Sequence, residues 1–437
     1  MSTASRRVVI TGAGLISPLG NSRQALWEAL QAGRSGVGPI RCLPSAALPF
    51  RCAAEAWDFR GKIDDFGDLS SDQKRTIRKG LKVMCREIQM GVASAQLALQ
   101  DAGLHSGDYD VDRTGAVYGS DYIMTEPQEF TEGVRRCLDD DGHFDFSRWA
   151  SEGLSQVTPL WLLKYLPNMP ASHIAIYNDM RGPNNSITLR EASSNLAVAE
   201  AFCTIQRGHA DSMLAGATGT RLHPLRTVHT VLQEEIAQGE DEPERLCRPF
   251  DRDRHGMVLG EGAAAIVMEA LETARARGAT ILGEVVGYGS SASMTPQGVA
   301  NSRQSLQNVV VQSLRKAGLK PSDVGHIHAH GLATRKDDIE EAAAIMAIFG
   351  DNGHKTPVTA AKSYFGNLGA AGGMVELIAS LLALQDGSLF PIRNYETPDP
   401  ACPIAATQGT STPAGNCFLN LSFTPHGQAS AILIRAA

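Results

Sequence analysis

The 437-residue sequence has no apolar run near the roughly 20 residues that a membrane-spanning helix requires. It also lacks an excess of basic charge, because 40 Lys and Arg face 47 Asp and Glu and the net charge is −7. That balance argues against a nucleic-acid-binding protein, which needs a basic face. The opening residues MSTASRRVVITGAG run into a strand-like segment without the apolar core of a signal peptide. We therefore expect a cytoplasmic protein with no membrane span and no nucleic-acid partner.

The sequence also lacks metal-binding motifs. Its eight cysteines are scattered and include no CxxC pair, so they indicate neither a zinc site nor a disulfide framework. His326, His328 and His330 alternate along a predicted strand, which would place their side chains on one face. No carboxylate or cysteine stands beside them, so we expect no bound metal and a single functional histidine, His330, at the end of the strand.

A glycine pair near the start, Gly12 and Gly14, follows the first predicted strand in the manner of a dinucleotide-binding loop. The third glycine of that fingerprint would fall on Ser17, and no acidic residue ends a second strand at the required distance. A nucleotide-dependent oxidoreductase built on this pair is therefore a minor alternative, and we expect no cofactor.

Strand-like and helical segments alternate along the chain, which predicts an α/β protein. Residues 119–180 are predicted to be irregular. Two halves of this alternation meet near residues 245–260 without a low-complexity linker, so we divide the chain into 1–255 and 256–437 and expect one fused body. The predicted strands are 8–10, 114–118, 184–188, 212–217, 263–268, 280–287, 325–330 and 429–434, and the predicted helices are 22–32, 84–102, 191–206, 302–317, 338–349 and 373–384.

Four segments in a fixed order carry a resemblance to a known family. They are RRVVITGAGLISPLG at 6–20, CRPFDRDRHGMVLGEGAAAIVM at 247–268, AHG at 329–331 and KSYFGNLGAAGGMVE at 362–376. With them, the chain resembles the β-ketoacyl-acyl-carrier-protein synthases, the elongating condensing enzymes of fatty-acid and polyketide synthesis. The resemblance runs from Arg6 to the C-terminus.

The resemblance implies the thiolase fold, in which two similar βαβαβαββ halves pack as five layers, α-β-α-β-α. It also implies a tight dimer, an acyl carrier protein as partner and an acyl or malonyl thioester as ligand. In the family, a nucleophilic cysteine takes the acyl chain as a thioester. Two histidines polarise the malonyl thioester carbonyl while CO2 leaves.

The resemblance assigns catalytic positions and shows where this sequence departs from them. His330 matches the first histidine and Lys362 the essential lysine, whereas Asn367 stands where the second histidine is expected. The nucleophile pattern GPxxSIxxAC corresponds to GPNNSITLRE, which places Glu191 at the cysteine position. Cys203 lies about three helical turns further on and cannot substitute.

The resemblance also assigns residues to the substrate pocket. Thr334 lies in the same motif as the first histidine, and Met257 stands where the family often carries phenylalanine. The C-terminal glycine-rich gate corresponds to LSFTPHGQA, which contains Phe423 and Pro425. Pro425 replaces a flexible phenylalanine and cannot swing in the same way.

The chemistry of Glu191 leaves two functions open. An ionised carboxylate cannot donate a hydrogen bond to a carbonyl, and it repels a malonyl carboxylate. Its predicted place at a helix N-terminus beside Arg190 favours that anion. One function is a subunit without a nucleophile, similar to chain-length factors, that pairs with a Cys-containing ketosynthase, Glu191 then being structural. The other is an atypical acyltransferase or malonyl-thioester decarboxylase that uses Glu191, His330, Asn367 and Lys362, and the sequence does not distinguish a homodimer from a heterodimer.

Overall fold

Twelve strands and twelve helices make up the described part of the chain, which in this computed structural model comprises residues 6–105, 107–239, 242–350 and 356–437. The strands are β1 (Val8–Ile16), β2 (Gly38–Pro39), β3 (Cys52–Ala53), β4 (Thr114–Ser120), β5 (Asn184–Thr188), β6 (Ser212–Thr220), β7 (Glu261–Ala270), β8 (Gly283–Ala292), β9 (His326–His328), β10 (Val358–Thr359), β11 (Cys417–Phe423) and β12 (Gln428–Arg435). The helices are α1 (Arg23–Gln31), α2 (Ser71–Gly80), α3 (Arg86–Asp101), α4 (Gln128–Arg136), α5 (Met169–Asn178), α6 (Ser193–Gln206), α7 (Pro224–Gln233), α8 (Leu271–Ala276), α9 (Ser302–Ala317), α10 (Arg335–Phe349), α11 (Lys362–Phe365) and α12 (Gly372–Asp386).

Ten strands form one mixed sheet in the order β10-β9-β11-β12-β8-β1-β7-β6-β4-β5. In the first half, β4 is parallel to β5 and β6, and β7 is antiparallel to β6 and β1. In the second half, β9 is parallel to β10 and β11, and β12 is antiparallel to β11 and β8. The two halves therefore repeat one pairing scheme, and they join through a short antiparallel pairing of β1 with β8.

Helices cover both faces of each half of the sheet. α3 and α5 pack on the first half, α9 and α10 lie on the outer side of the second half, and α6 and α12 lie between the halves. α12 is buried on all sides over most of its length, as a central helix must be. The predicted thiolase fold with its five α-β-α-β-α layers is therefore confirmed.

The glycine pair of β1 lies inside the strand, so the predicted turn after Ile10 is wrong. A Cβ at Gly14 would lie 2.3 Å from the Ala98 nitrogen and 2.4 Å from the Ser94 oxygen of α3. Gly12 faces α3 with similar contacts. Both glycines therefore allow the backbone of α3 to approach the strand closely. The loop that a dinucleotide-binding site on Gly12 and Gly14 would need is absent from this described segment.

Some predicted elements change their bounds or type. The segment predicted to be irregular, 119–180, contains α4 and α5. The strand predicted over 325–330 covers only His326–His328, which places His330 in the loop after β9. The predicted division after residue 255 stays a prediction. In the sheet, the last strand of the first half is β7 and the first strand of the second half is β8. Within the described ranges, no helix is both long and apolar enough to cross a membrane.

Candidate functional site

Three segments of the chain meet where α6 begins. Glu191 lies in the single 3-10 turn between β5 and α6, and His330 lies two residues after β9. Lys362 begins α11, and Asn367 follows α11 in a loop held by backbone hydrogen bonds of 2.8 Å to Val258 and 2.9 Å from Gly260. The fold therefore brings together the four residues that the sequence analysis assigns to catalysis.

Glu191 is a buried anion. Its carboxylate accepts hydrogen bonds from Arg221 and from Asn367 Nδ2, the latter at 3.1 Å, and Arg190 Nε lies 3.3 Å from Oε2. Burial acts to raise the pKa of Glu191, but Arg190 and Arg221 outweigh it and hold the pKa well below its usual range. Arg190, which the sequence analysis expects to favour the anion, does contact it, and Arg221 is an additional partner that the sequence analysis missed.

Arg190 links Glu191 to the surface. Its φ of 52° puts a non-glycine residue in the left-handed region, which turns the chain sharply before Glu191. Its guanidinium donates to Glu234 at 2.7 Å, and Nη1 lies 3.2 Å from His426 Nε2 in the C-terminal gate segment. The side chain therefore closes the outer side of the site.

Asn367 has both of its amide hydrogens engaged. Nδ2 donates to Glu191 Oε1 at 3.1 Å and to Met257 Sδ at 3.3 Å, while Oδ1 accepts from the Gly369 nitrogen at 2.9 Å. Since an amide has two N–H donors, neither is left to hold a ligand oxygen in this arrangement.

His330 is a neutral imidazole with a fixed tautomer. Burial and the neighbouring Lys362 hold the pKa of His330 well below its usual range. Lys362 Nζ donates to Nδ1 at 3.1 Å and is itself paired with buried Glu376. Because an ammonium group only donates, Nδ1 accepts and the ring proton lies on Nε2. The Phe423 ring packs against the imidazole with centroids 4.8 Å apart.

The predicted pocket residues divide into an outer and an inner pair. Thr334 and Pro425 line a cavity of about 360 Å³ together with Arg190 and His426. Thr334 Oγ1 donates to Asp337 at 3.0 Å. Met257 and Phe423 lie further in, against Asn367 and His330 respectively.

The other two histidines of the alternating set are held by protein atoms. His326 contacts the Ala414 oxygen at 2.7 Å and Ser380 Oγ at 3.0 Å. His328 contacts the same hydroxyl at 2.7 Å and accepts from the Ala361 nitrogen at 3.1 Å. Burial lowers the pKa of His326 to about 4. All four ring nitrogens have partners, so a metal would have to displace existing hydrogen bonds.

Two buried charges of the site were missed from the sequence. Glu376 had a usable signal, because it is a lone carboxylate inside the apolar helix α12, where charged residues are rarely buried without a partner. Arg221 had none, since it directly follows β6 and its partner lies 30 residues earlier in the chain.

Comparison with known families gives matches over most of the chain. The model of the "Beta-ketoacyl synthase, N-terminal domain" matches residues 5–274, and that of the C-terminal domain matches residues 282–396. A 3-oxoacyl-[acyl-carrier-protein] synthase 2 of Coxiella burnetii is 34% identical over 401 residues, which are 91% of this chain and 90% of that protein.

Solved structures give matches of the same kind. The ishigamide ketosynthase/chain length factor superposes with a TM-score of 0.82 at 27% identity and covers 99% of this chain and 100% of its own. A type II PKS acyl-carrier protein in complex with its ketosynthase (AntDE:AntF) gives a TM-score of 0.81 at 25% identity. That match covers 99% of this chain and 100% of the other chain.

Proposed function

The chain belongs to the beta-ketoacyl synthase family of fatty-acid or type II polyketide synthesis, and we propose that it serves there as a subunit without a nucleophile. In this role it resembles a chain-length factor and pairs with a second, Cys-containing ketosynthase that carries the acyl chain. Its further partner is an acyl carrier protein, and the ligand of the assembly is an acyl or malonyl thioester.

The observation that carries this proposal is the state of Glu191. The family motif aligns it with the nucleophile, and its carboxylate is bound by Arg221, Arg190 and Asn367. An acyl group on a carboxylate would be a mixed anhydride, which water hydrolyses readily. Forming it here would also remove the negative charge that compensates two buried guanidinium groups.

No cysteine is placed to replace Glu191. Cys203 lies on α6 and donates to Tyr288 at 3.1 Å. Cys247 is buried behind Lys362 and donates to its backbone oxygen at 2.9 Å. Burial raises the pKa of Cys247 to about 12, so the thiol stays protonated and unreactive.

Two surface features support protein partners. β5 is the edge strand of the ten-stranded sheet, half exposed and paired only with β4. Such an edge can accept a strand from a second chain. In addition, α2 and the turn after it expose a basic cluster in a chain of net charge −7, which suits an acidic partner. The exposed basic residues of this cluster are Arg75, Arg78, Lys79 and Lys82, and Lys74 beside them is half-buried.

The second candidate is an atypical acyltransferase or malonyl-thioester decarboxylase that uses Glu191, His330, Asn367 and Lys362. It is favoured by His330, whose Nε2 proton could donate to a thioester oxygen. Against it, the Glu191 carboxylate is held by Arg221 and Arg190 and, being ionised, cannot donate a hydrogen bond to a thioester carbonyl. Asn367 would also have to give up an existing hydrogen bond.

The native mass of the tagged chain, purified from its own host, distinguishes the two candidates. A complex with a Cys-containing ketosynthase supports the proposed subunit. A homodimer of about twice 46.6 kDa with no other chain would contradict it. That homodimer would then be given malonyl carrier protein, and CO2 release lost in His330→Ala would establish the decarboxylase.

A further inference from the structure

A cluster of buried charges continues inward from Arg221. Arg226, Asp121 and Glu87 are each at most 3% exposed. Asp121 Oδ2 lies 3.9 Å from Arg221 Nη1 and 3.7 Å from Arg226 Nη2. Glu87 Oε2 lies 3.9 Å from Arg226 Nη1. These distances exceed those of direct hydrogen bonds, and they fit groups that a water molecule bridges.

Several polar atoms of this cluster lack protein partners. Over the ranges that the structure describes, none of Asp121 Oδ2, Glu87 Oε1, Arg226 Nη2 and His223 Nε2 has a hydrogen-bond partner. Glu87, His223 and Arg226 line a partly open cavity of about 60 Å³, whose other lining residues include the part-exposed Glu126 and the apolar Ile123 and Leu222. Since buried polar groups are nearly always satisfied, and the cavity is large enough for water, we expect water to be the partner of these atoms.

The charges of the cluster balance without an added ion. Burial raises the pKa of Glu87 to about 8, so at neutral pH this carboxyl is mostly protonated. Arg221 and Arg226 are then matched by Glu191 and Asp121. Water is therefore a sufficient occupant, and a bound cation or anion is not required.

The direction of the Glu191 side chain connects this cluster to the candidate site. The carboxylate contacts Arg221, and Arg221 in turn faces Asp121. An alkyl chain that extends inward from position 191 would meet charged groups and their water instead of an apolar wall. Burying these groups against hydrocarbon would remove their solvation without replacing it.

We propose that Arg221, Arg226, Asp121 and Glu87 make the interior beside position 191 a water-filled polar site that admits no alkyl chain. Acyl groups that this subunit binds are therefore short or polar, and a growing chain must lie in the partner. The inference rests on the proposed function and assigns these four residues a role in specificity.

Titration of the unmutated chain with acetyl-pantetheine and octanoyl-pantetheine tests the proposal by calorimetry. We expect octanoyl-pantetheine to bind no more than threefold tighter than acetyl-pantetheine, or not at all. In Asp121→Leu combined with Arg226→Leu, which removes one buried carboxylate together with its guanidinium, octanoyl-pantetheine should bind more than tenfold tighter than it binds the unmutated chain. The control variant, Arg245→Leu with Glu396→Leu, removes an exposed ion pair. It should bind both ligands with the affinities of the unmutated chain.

A tenfold or greater gain from acetyl to octanoyl in the unmutated chain would overturn the proposal, as would a folded double variant that gains nothing. If the double variant does not fold, Glu191→Cys provides the second test. The rate at which its thiol is acylated is measured from the intact mass of the chain. Acylation should be faster from acetyl-pantetheine than from octanoyl-pantetheine. Equal loading, or none, would contradict the proposal. None of these outcomes bears on the native mass, which decides the proposed function separately.

Discussion

Two buried ion pairs lie on opposite sides of the site and use the same chemistry in opposite ways. On one side, the Glu191 carboxylate occupies the position of the reactive group and is held by Arg221. On the other side, Lys362 and Glu376 form a pair that lies behind His330 and holds its tautomer. The first pair occupies the position of the nucleophile with a bound carboxylate. The second pair orients His330, which stays uncharged.

The comparison shows that charge alone does not indicate whether a buried group is available for chemistry. Glu191 and Glu376 are both fully buried carboxylates beside a cation. They differ in position and in their number of partners. Glu191 faces the site and has polar contacts with Arg221, Arg190 and Asn367, whereas the Glu376 carboxyl lies behind Lys362 and has a polar contact with that side chain alone among the described residues. Two arginines hold the pKa of Glu191 well below its usual range, while burial keeps the pKa of Glu376 raised despite Lys362.

The largest expected effect comes from breaking the Glu191 pair. Arg221→Met should lower the free energy of unfolding by about 3–5 kcal/mol, because it leaves a buried carboxylate without the guanidinium that donates a hydrogen bond to it. Adding Glu191→Leu should recover most of this loss, since the two apolar side chains then pack together. Urea unfolding of the single and double variants measures both values, and additive losses would contradict the pairing.

The other pair should respond differently, because its remaining member can neutralise itself. Lys362→Met leaves Glu376, which can take up a proton at a cost of about 3 kcal/mol at pH 7. This cost should fall by about 1.4 kcal/mol for each unit by which the pH is lowered toward 4.5. Urea unfolding at several pH values checks it, and a loss that does not change with pH would show that the two sides behave alike.

The pH dependence of stability should also separate the two sides. The folded pKa of His330 is lowered, so the unfolded chain binds more protons below about 6.5 and stability falls there. The folded pKa of Glu191 is also lowered, so its contribution is full above about 4.5 and is lost below.

His330→Gln should therefore flatten the slope between pH 6.5 and 5 by up to about 1.4 kcal/mol per pH unit, whereas Glu191→Gln should flatten it only below pH 4.5. Denaturant midpoints measured from about pH 3 to pH 7 test both windows. The assignment fails if Glu191→Gln changes the slope in the upper window.

The smallest effect should come from the contact between Met257 and Asn367. Met257→Leu keeps the volume and removes only a weak acceptor, so the loss should be about 1 kcal/mol or less. The thermal midpoint of the variant measures it. A loss as large as that of Arg221→Met would mean that the sulfur, and not the ion pair, holds Asn367 in place.

The sequence predicted the parts of the site that depend on local motifs. His330, Lys362 and Asn367 stand in short segments that match the family's motifs, and the alternation of elements predicted the two halves of the fold. Arg221 could not be found in this way, because its contact with Glu191 joins segments from the ends of two different strands. The glycines of β1 were misread for a related reason, since the helix that requires them lies 80 residues further on.

The intact mass of each chain after exposure to an acyl-pantetheine donor shows which of the two chains carries the acyl group. The complex of this chain with its Cys-containing partner is treated with the donor, and the two chains are then separated. If Glu191 is not a nucleophile, the partner carries the acyl adduct and this chain carries none. An adduct on any residue of this chain that is passed on to a malonyl acceptor would contradict the proposed function.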